Sequence, residues 1–364
     1  MPDASSPSRS STIHFINLLV LLAAASACSR DTSHENTPKL PLDALLPTEF
    51  PRTTKLKIGD PKVQKQLELS GLIKQLPCAI EWQNMTGGPQ TLEAFRAGAL
   101  DAGSVGDTPP IHAAFTGLPV KIIAAHFRDK PSFQLAVAPK GQVRTLADLR
   151  GKRIAYAPGQ AQGALVLRVL QSAGLTPDDV TFIELTSSEF KDALGSNQVD
   201  VAPLSGPILR RYLKEHRTDG AHAIPHGARD SLSFLYVRTP VLEDPAKAAA
   251  LREYVRLRTQ AQLWAADHIE EWLSFYYVKD QGLSEEDARA VIDTDAALRY
   301  PGDWNEVIAL TQDTIDLIAR ASHRKPFKAE DIFDRRYQAV GAEVARASLG
   351  VQPPAAAYAG ADRQ

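Results

Sequence analysis

Short apolar runs alternate with segments of helical periodicity along most of this chain. Runs rich in β-branched residues predict strands, and apolar residues that recur every three or four positions predict helices. Their alternation predicts an α/β fold, in which a parallel sheet is covered by helices. The predicted strands are 55–59, 79–82, 102–105, 120–125, 153–156, 180–185, 199–204 and 233–237, and the main predicted helices are 63–72, 91–99, 111–115, 161–173, 189–195, 207–215, 244–279 and 305–319.

The same pattern divides the folded part of the chain into two lobes. With 364 residues, two domains are a reasonable expectation. A second series of strands and helices starts after 139–141, and the strand at 233–237 returns to the first unit. We therefore expect lobe one to comprise 53–139 plus 228–349 and lobe two to comprise 140–227. The crossings, near 138–142 and 224–231, would act as hinges.

The N-terminal region has the pattern of an export signal. An apolar run at 13–27 is shorter than the ~20 residues of a membrane span and has the size of a signal-peptide core. It ends in small residues before Cys28, which resembles a bacterial lipoprotein signal whose cysteine is acylated. We predict a signal peptide at 1–28, lipidation of Cys28 and a periplasmic, membrane-anchored protein, with secretion without acylation as the alternative. Residues 29–52 would be a polar tether and 350–364 a disordered tail.

Charge and cysteine content exclude several functional classes. The formal charge is −2 and basic residues are matched by acids, so no nucleic-acid partner is expected. With two cysteines, a disulfide framework and a Cys-rich zinc site are excluded. Cys78, beside a predicted strand, reads as a buried core residue. His222 and His226 have no third ligand nearby, so we predict neither a metal nor a cofactor.

Three loops that follow predicted strands and open helices are the candidate site. They are 60–62, 86–90 and 106–110. Ligands of open α/β sheets bind at the carboxyl ends of the strands, where helix starts expose unpaired N–H groups. Each helix start would stabilise an anion by about 0.3–1 kcal/mol. Each loop alone is typical of an ordinary turn, but the three together predict an anion site.

These loops also carry a family resemblance, which extends over roughly residues 55–340. The chain resembles the aliphatic sulfonate, taurine and nitrate solute-binding proteins of ABC importers. The block from Gly88 to Pro110 is the most specific part, and the stretch 146–152 is shared by many binding-protein families. The residues that carry the resemblance are Gly88, Pro89, Gln90, Glu93, Ala94, Gly98, Asp101, Gly103, 106–110, 146–155, 167–170 and 195–200.

The resemblance implies a two-lobed periplasmic binding protein fold of type II, with mixed sheets flanked by helices, that closes on its ligand. It implies the substrate-binding component of an ABC importer, a monomer that captures a small organic anion, an alkyl or aryl sulfonate, and docks on a permease in the inner membrane. Arg299 is a candidate charged clamp on the anion, and Arg128 is a weaker candidate of the same kind. The other candidate ligand contacts are Lys62, Gly88, Gln90, Asp107 and Thr108 in lobe one, and Gln160, Gln162 and Ser205 in lobe two.

Two alternatives stay open at this point. One is an enzyme on the same fold, of desulfinase or pyrimidine-synthesis type, which would need a reactive Cys or His in the cleft. The other is a binder of a thiamine precursor or nitrate, because the loops at 60–62, 158–163 and 202–207 depart from the family pattern. The chain has no Gly-x-Ser-x-Gly elbow and no phosphate-binding Gly-Lys-Ser loop, so we predict no catalytic residue.

Overall fold

The computed structural model describes residues 38–85, 87–128, 130–292 and 298–348. The predicted signal peptide with Cys28, and the predicted tail at 350–364, lie outside this range. Within the described residues, no helix combines the length and apolar character that a membrane crossing requires.

Eleven strands of the described residues form two sheets, and all eight predicted strands are among them. Three strands were not predicted: β5, β9 and β11. The strands are β1 (Lys55–Gly59), β2 (Ala79–Trp82), β3 (Ala102–Gly106), β4 (Val120–Arg128), β5 (Phe133–Val137), β6 (Arg153–Tyr156), β7 (Thr181–Glu184), β8 (Val201–Ser205), β9 (His222–Ile224), β10 (Leu232–Arg238) and β11 (Leu298–Arg299).

Each sheet is mixed, and in each a strand from a crossing lies antiparallel to its neighbours. The larger sheet has the order β11-β4-β10-β3-β1-β2, with β1 parallel to β2 and β3, and with β10 antiparallel to β3 and β4. The smaller sheet has the order β7-β6-β8-β5-β9, with β6 parallel to β7 and β8, and with β5 antiparallel to β8 and β9. Because these strands are parallel, their carboxyl ends lie at the same edge of each sheet. The connections between them contain helices.

Helices cover the sheets, and several of them begin with proline, whose missing N–H costs nothing at a first helical position. The predicted helix at 244–279 ends earlier than expected, because His268 has non-helical dihedral angles; a short helix and a π-helix at Leu273–Asp280 follow. The α-helices are α1 (Pro61–Leu69), α2 (Gly88–Arg96), α3 (Thr108–Phe115), α4 (Ala161–Ser172), α5 (Phe190–Gly195), α6 (Gly206–Glu215), α7 (Thr239–Leu242), α8 (Pro245–Asp267), α9 (Ile269–Trp272), α10 (Glu285–Ile292), α11 (Asn305–Ala321) and α12 (Gln338–Ser348).

The first crossing lies earlier than the sequence predicted. Residues up to 139 were assigned to lobe one, but β5 pairs with β8 and β9 in the smaller sheet. The chain therefore leaves the larger sheet after Arg128 and enters the smaller one at Phe133, and it returns between Ile224 and Leu232. We keep the name lobe one for the part built on the larger sheet and lobe two for the part built on the smaller sheet.

The described part of the predicted tether packs on lobe one. Leu42, Leu46 and Phe50 contact its core, and the Leu40 amide donates to the Glu243 carbonyl at 2.7 Å. The Arg336 guanidinium also donates to two backbone carbonyls of this segment. Residues 40–50 therefore belong to the folded unit, since partly buried apolar side chains pack them against it.

Asp101 ties three elements of lobe one together. Its carboxylate is 2 % exposed and accepts from the Lys57 amide of β1 at 3.1 Å and from the Lys247 ammonium of α8 at 3.1 Å. The Arg238 guanidinium at the end of β10 lies 3.4 Å away. Burying this carboxylate is tolerable because each oxygen has charged or amide donors.

We expect Asp101→Ala to lower the free energy of unfolding by about 2–3 kcal/mol, because it leaves the Lys57 amide and two cations without their acceptor. Urea denaturation followed by circular dichroism measures this. Asp178→Ala, at an exposed position, is the control and should change stability by less than about 0.5 kcal/mol. Equal midpoints for the two variants would contradict the role of Asp101.

Candidate functional site

Two adjoining cavities lie at the carboxyl ends of the strands of lobe one. The smaller, about 210 Å³, lies between the lobes and is called the cleft. The larger, about 600 Å³, is called the side cavity and lies between the sheet of lobe one and the helices that follow β10. The residues that line both are Ser104, Val105, Gly106 and Arg128. A ligand could therefore occupy the cleft and extend into the side cavity.

The starts of three helices meet at the cleft. α2 begins at Gly88, directly after Gly87, whose φ of +88° turns the chain from strand to helix. α3 begins at Thr108, and α4 of lobe two begins at Ala161. The first N–H groups of a helix have no partner within the helix, and they carry the positive end of its dipole. The cleft therefore presents donors from both lobes to an anion.

Gly88 is needed because the helix starts lie so close together. A Cβ atom at this position would stand 2.7 Å from Cγ of Pro109 and 3.4 Å from the Gly159 carbonyl of lobe two. Any side chain there would separate α2 from α3 and from the opposite lobe. Gly88 thus supports the geometry of the cleft, whose wall it forms.

An ion pair joins the lobes beside these helix starts. The Arg168 guanidinium of α4 donates to the Asp107 carboxylate of lobe one, and also to Oγ1 of Thr314 at 2.6 Å. The Arg168 and Asp107 side chains are 11 % and 8 % exposed. Asp107, which precedes α3, makes no side-chain hydrogen bond that caps the helix. The Asp107 carboxylate is neutralised by the Arg168 guanidinium, and this ion pair joins the two lobes in the closed arrangement.

Asp230 lies at the return crossing and also lines the cleft. Its oxygens accept from the amides of Ser132 at 2.8 Å and Phe133 at 2.7 Å, so it fastens one crossing to the other. Burial raises the pKa of the Asp230 carboxyl above its ordinary value, although the Phe133 and Ser132 amides and the charge of Arg128 act in the opposite direction.

A second buried ion pair forms part of the wall of the side cavity. The Arg258 guanidinium of α8, 1 % exposed, donates to the Asp60 carboxylate at 2.9 Å and to Ser104 at 2.9 Å. The Tyr254 hydroxyl donates to the same carboxylate. The Lys62 ammonium lies 3.2 Å from the Tyr277 hydroxyl. Asp60 and Arg258 neutralise each other, so this pair adds rigidity without a net charge.

The predicted site residues fall into three groups. Gly88, Asp107, Gln160 and Gln162 line the cleft, from both lobes. Lys62 lines the side cavity instead. Among the described residues, four of the predicted contacts line neither cavity: Gln90, Thr108, Ser205 and Arg299.

The phase of each helix explains why Gln90 and Thr108 lie away from the cavities. Gln90 is on the exposed face of α2, whereas Thr91 and Leu92 are buried. Thr108 is 1 % exposed, and its hydroxyl donates to Asp107 at 2.9 Å. Thr108 supports the ion pair and is not placed to touch a ligand with its side chain.

The structure gives no support to the prediction of Arg299 as a clamp, because Arg299 lines neither cavity among the described residues. Its guanidinium pairs with the Glu306 carboxylate at 2.9 Å and stacks 4.1 Å from the Phe127 ring centroid on the surface. β11 pairs with β4, and this pairing places Leu298, not Arg299, in the wall of the side cavity. Arg128, the weaker candidate, lines both cavities.

Arg168 and Arg258 were not predicted to have a role. Arg168 lies in a stretch that carries the family resemblance, but only the packing of the lobes shows its partner. A charge in the apolar face of a long helix is a signal that could have indicated Arg258. His226 and His222 bond to backbone carbonyls, and no group of three metal-binding side chains occurs in the described part of the chain.

Comparison with known proteins places this chain near solute-binding proteins. A family model described as "NMT1/THI5 like" matches residues 79–207. A protein of Escherichia coli (strain K12) named "Putative aliphatic sulfonates-binding protein" is 32 % identical over 134 residues. The alignment covers 37 % of this chain and 42 % of that protein, so it spans less than half of the relative.

Two solved structures have the same fold. The periplasmic aliphatic sulphonate binding protein SsuA from E. coli is 24 % identical with a TM-score of 0.66, over 78 % of this chain and 92 % of that one. The alkanesulfonate-binding protein SsuA from Xanthomonas axonopodis pv. citri, bound to MOPS, is 23 % identical with a TM-score of 0.66, over 78 % and 99 %. These findings confirm the family resemblance and the periplasmic binding protein fold.

The contact between Gly106 and Ala161 provides a test of the closed arrangement. A Cβ atom at Gly106 would stand 2.9 Å from Cβ of Ala161 in lobe two, and among the described residues no other non-neighbouring heavy atom lies within 4 Å of it. We expect Gly106→Ala to disfavour closure by about 1–3 kcal/mol while each lobe still folds. Small-angle X-ray scattering should give the variant a larger radius of gyration than the wild type.

Gly302→Ala is the matched control, since its Cβ would lie at an ordinary 3.4 Å from Cβ of Ala342 within lobe one. It should scatter like the wild type, with an unchanged circular dichroism spectrum. If Gly106→Ala gave the same radius as Gly302→Ala, the Gly106–Ala161 contact would not limit closure in solution.

Proposed function

We propose that this chain is the substrate-binding component of an ABC importer, and that it captures a small organic anion, an alkyl or aryl sulfonate, between its lobes. The observation that carries the proposal is the convergence of three helix starts, from two lobes, on one cleft. Donors fixed in this way match the oxygens of a sulfonate without needing a full counter-charge.

The likeness to sulfonate-binding proteins supports this choice of ligand. The E. coli relative and both solved structures are named for sulfonates, and one of them is bound to MOPS. The side cavity of about 600 Å³ opens from the cleft and supports an organic group on the anion. Nitrate, the alternative ligand, would leave that volume unused.

The enzyme alternative has little support from the candidate thiol. Cys78 is 9 % exposed and packs in the core of lobe one, and it is not among the described residues that line either cavity. Burial raises the pKa of its thiol to about 11, so it stays protonated at neutral pH. A protonated, core-packed thiol is a poor nucleophile, which favours a binding protein without catalytic residues.

The location and partners follow from the same proposal. An importer of this kind works outside the cytoplasmic membrane, as the periplasmic E. coli structure does. We propose that Cys28 is acylated and anchors the chain to the membrane, and that the closed monomer docks on an inner-membrane permease. Closure would move the smaller sheet about the two crossings, Arg128 to Phe133 and Ile224 to Leu232.

A ligand screen tests the proposal directly. We expect methanesulfonate, hexanesulfonate or toluenesulfonate to raise the melting temperature of the protein, because a ligand that binds only the folded state stabilises it by about 2.7 kcal/mol at 100 times its Kd. Differential scanning fluorimetry with matched concentrations of nitrate and sulfate provides the comparison. A shift with nitrate alone would favour the alternative ligand, and no shift with any sulfonate would overturn the proposal.

Arg168 tests the closing step. Arg168→Met should weaken sulfonate binding by about 10-fold or more, because closure would then bury the Asp107 carboxylate without its partner. Isothermal titration calorimetry measures the change. Arg150→Met removes an exposed ion pair within lobe two and should leave the affinity unaltered. Equal affinities of the two variants would show that the ion pair does not contribute to closure.

A further inference from the structure

Arg128 occupies the junction of the two cavities. It is the last residue of β4, at the point where the chain leaves lobe one for lobe two. It lines both the cleft and the side cavity. Its side chain is half-buried, and its Nε atom is buried.

The other arginines that line these cavities form ion pairs, whereas Arg128 forms none with the residues that the structure describes. Arg168 donates to Asp107, and Arg258 donates to Asp60. The Nε atom of Arg128 is buried without a hydrogen-bond partner, and Arg128 has no ion pair with any described residue.

Asp230 is the carboxylate of the cleft that acts on Arg128, and its oxygens have other hydrogen-bond partners. Asp230 interacts electrostatically with Arg128, but both of its oxygens accept from the backbone amides of Ser132 and Phe133. No carboxylate of the described residues therefore forms an ion pair with the Arg128 guanidinium, and its Nε atom has no acceptor. Leaving a half-buried guanidinium donor without an acceptor costs free energy, and a bound anion would remove that cost.

We propose that Arg128 binds the negatively charged group of the ligand, and that it makes the site selective for anions over neutral molecules of the same shape. The inference rests on the proposed function, and it adds the charged contact that the helix starts lack. A guanidinium can donate two parallel hydrogen bonds to a sulfonate, and this geometry distinguishes it from a lysine. The charged group would lie at the junction, between the helix starts on one side and the side cavity on the other.

This position also decides where the rest of the ligand lies. From the junction, the side cavity offers an apolar wall made by the end of α8 and by α9. Its residues are Ala265, Ala266, Ile269 and Trp272. An alkyl or aryl group attached to the anion would pack against this wall, so the ligand would be an amphipathic organic anion.

The test compares a charged ligand with its neutral analogue. Hexanesulfonate and hexanesulfonamide are titrated by calorimetry into the wild type, Arg128→Gln and Arg128→Lys. Arg128→Gln should weaken hexanesulfonate binding by about 10- to 100-fold and leave hexanesulfonamide binding nearly unchanged. Arg128→Lys should recover part of the sulfonate affinity, because it keeps the charge but loses the paired donors.

Arg299→Gln is the matched control, since Arg299 pairs with Glu306 on the surface and lines neither cavity within the described residues. It should bind hexanesulfonate as the wild type does. Thermal unfolding of each variant checks the fold. If Arg128→Gln does not fold, Arg128→Met, which also removes the charge, takes its place, and a preference for the anion equal to that of the wild type would overturn the inference.

The outcomes separate this inference from the proposed function. A wild type that binds hexanesulfonate, with Arg128→Gln binding it equally well, would overturn the role of Arg128 and leave the binding function intact. A wild type that binds no sulfonate at all would overturn the proposed function and the role of Arg128 with it. A parallel loss of both ligands in Arg128→Gln would make Arg128 structural and would also overturn the selectivity proposed here.

Discussion

The ion pair between Asp107 and Arg168 is the interaction on which the closed structure depends. The two residues belong to different lobes, and each is buried only because the other supplies the opposite charge. Asp107 stands at the start of α3 and Arg168 lies within α4, so their pairing also holds the starts of both helices at one cleft. The pair therefore helps to keep donors of both lobes on the two sides of the cleft.

The arginines that line the cavities differ in whether they form an ion pair with a carboxylate. Arg168 and Arg258 each neutralise a buried aspartate, one across the lobes and one within lobe one. Such pairs fix geometry, and they add little net charge to the cavities. Arg128 has no such partner in the described chain, so it is the arginine whose charge can act on a ligand. For the proposed role of Arg128 these pairs matter, because they keep the Asp107 and Asp60 carboxylates from competing with the ligand.

The topology explains why the site lies where it does. In both sheets, parallel strands joined through helices place their carboxyl ends and the following helix starts at one edge. The strands next to the crossings, β5 and β10, run antiparallel to their neighbours, so the chain passes between the sheets beside these same edges. The two crossings are fastened together by Asp230, which brings the two edges face to face. The cleft, the junction and the two crossings are therefore neighbours.

The sequence by itself determined the eight main strands, most of the helices and the loops that begin α2, α3 and α4, because local periodicity and Gly or Pro at loop positions report local structure. It did not determine β5, β9 and β11: the last two are only three and two residues long, and all three pair with strands distant in the chain. It placed Gly88, Gln160 and Gln162 at the cleft through their loops, but it chose Arg299 over Arg128 as the charged clamp. Only the tertiary structure decided which of these arginines lines the cavities, because side-chain direction and the presence of a neutralising carboxylate depend on residues from distant elements, as the Glu306 partner of Arg299 shows.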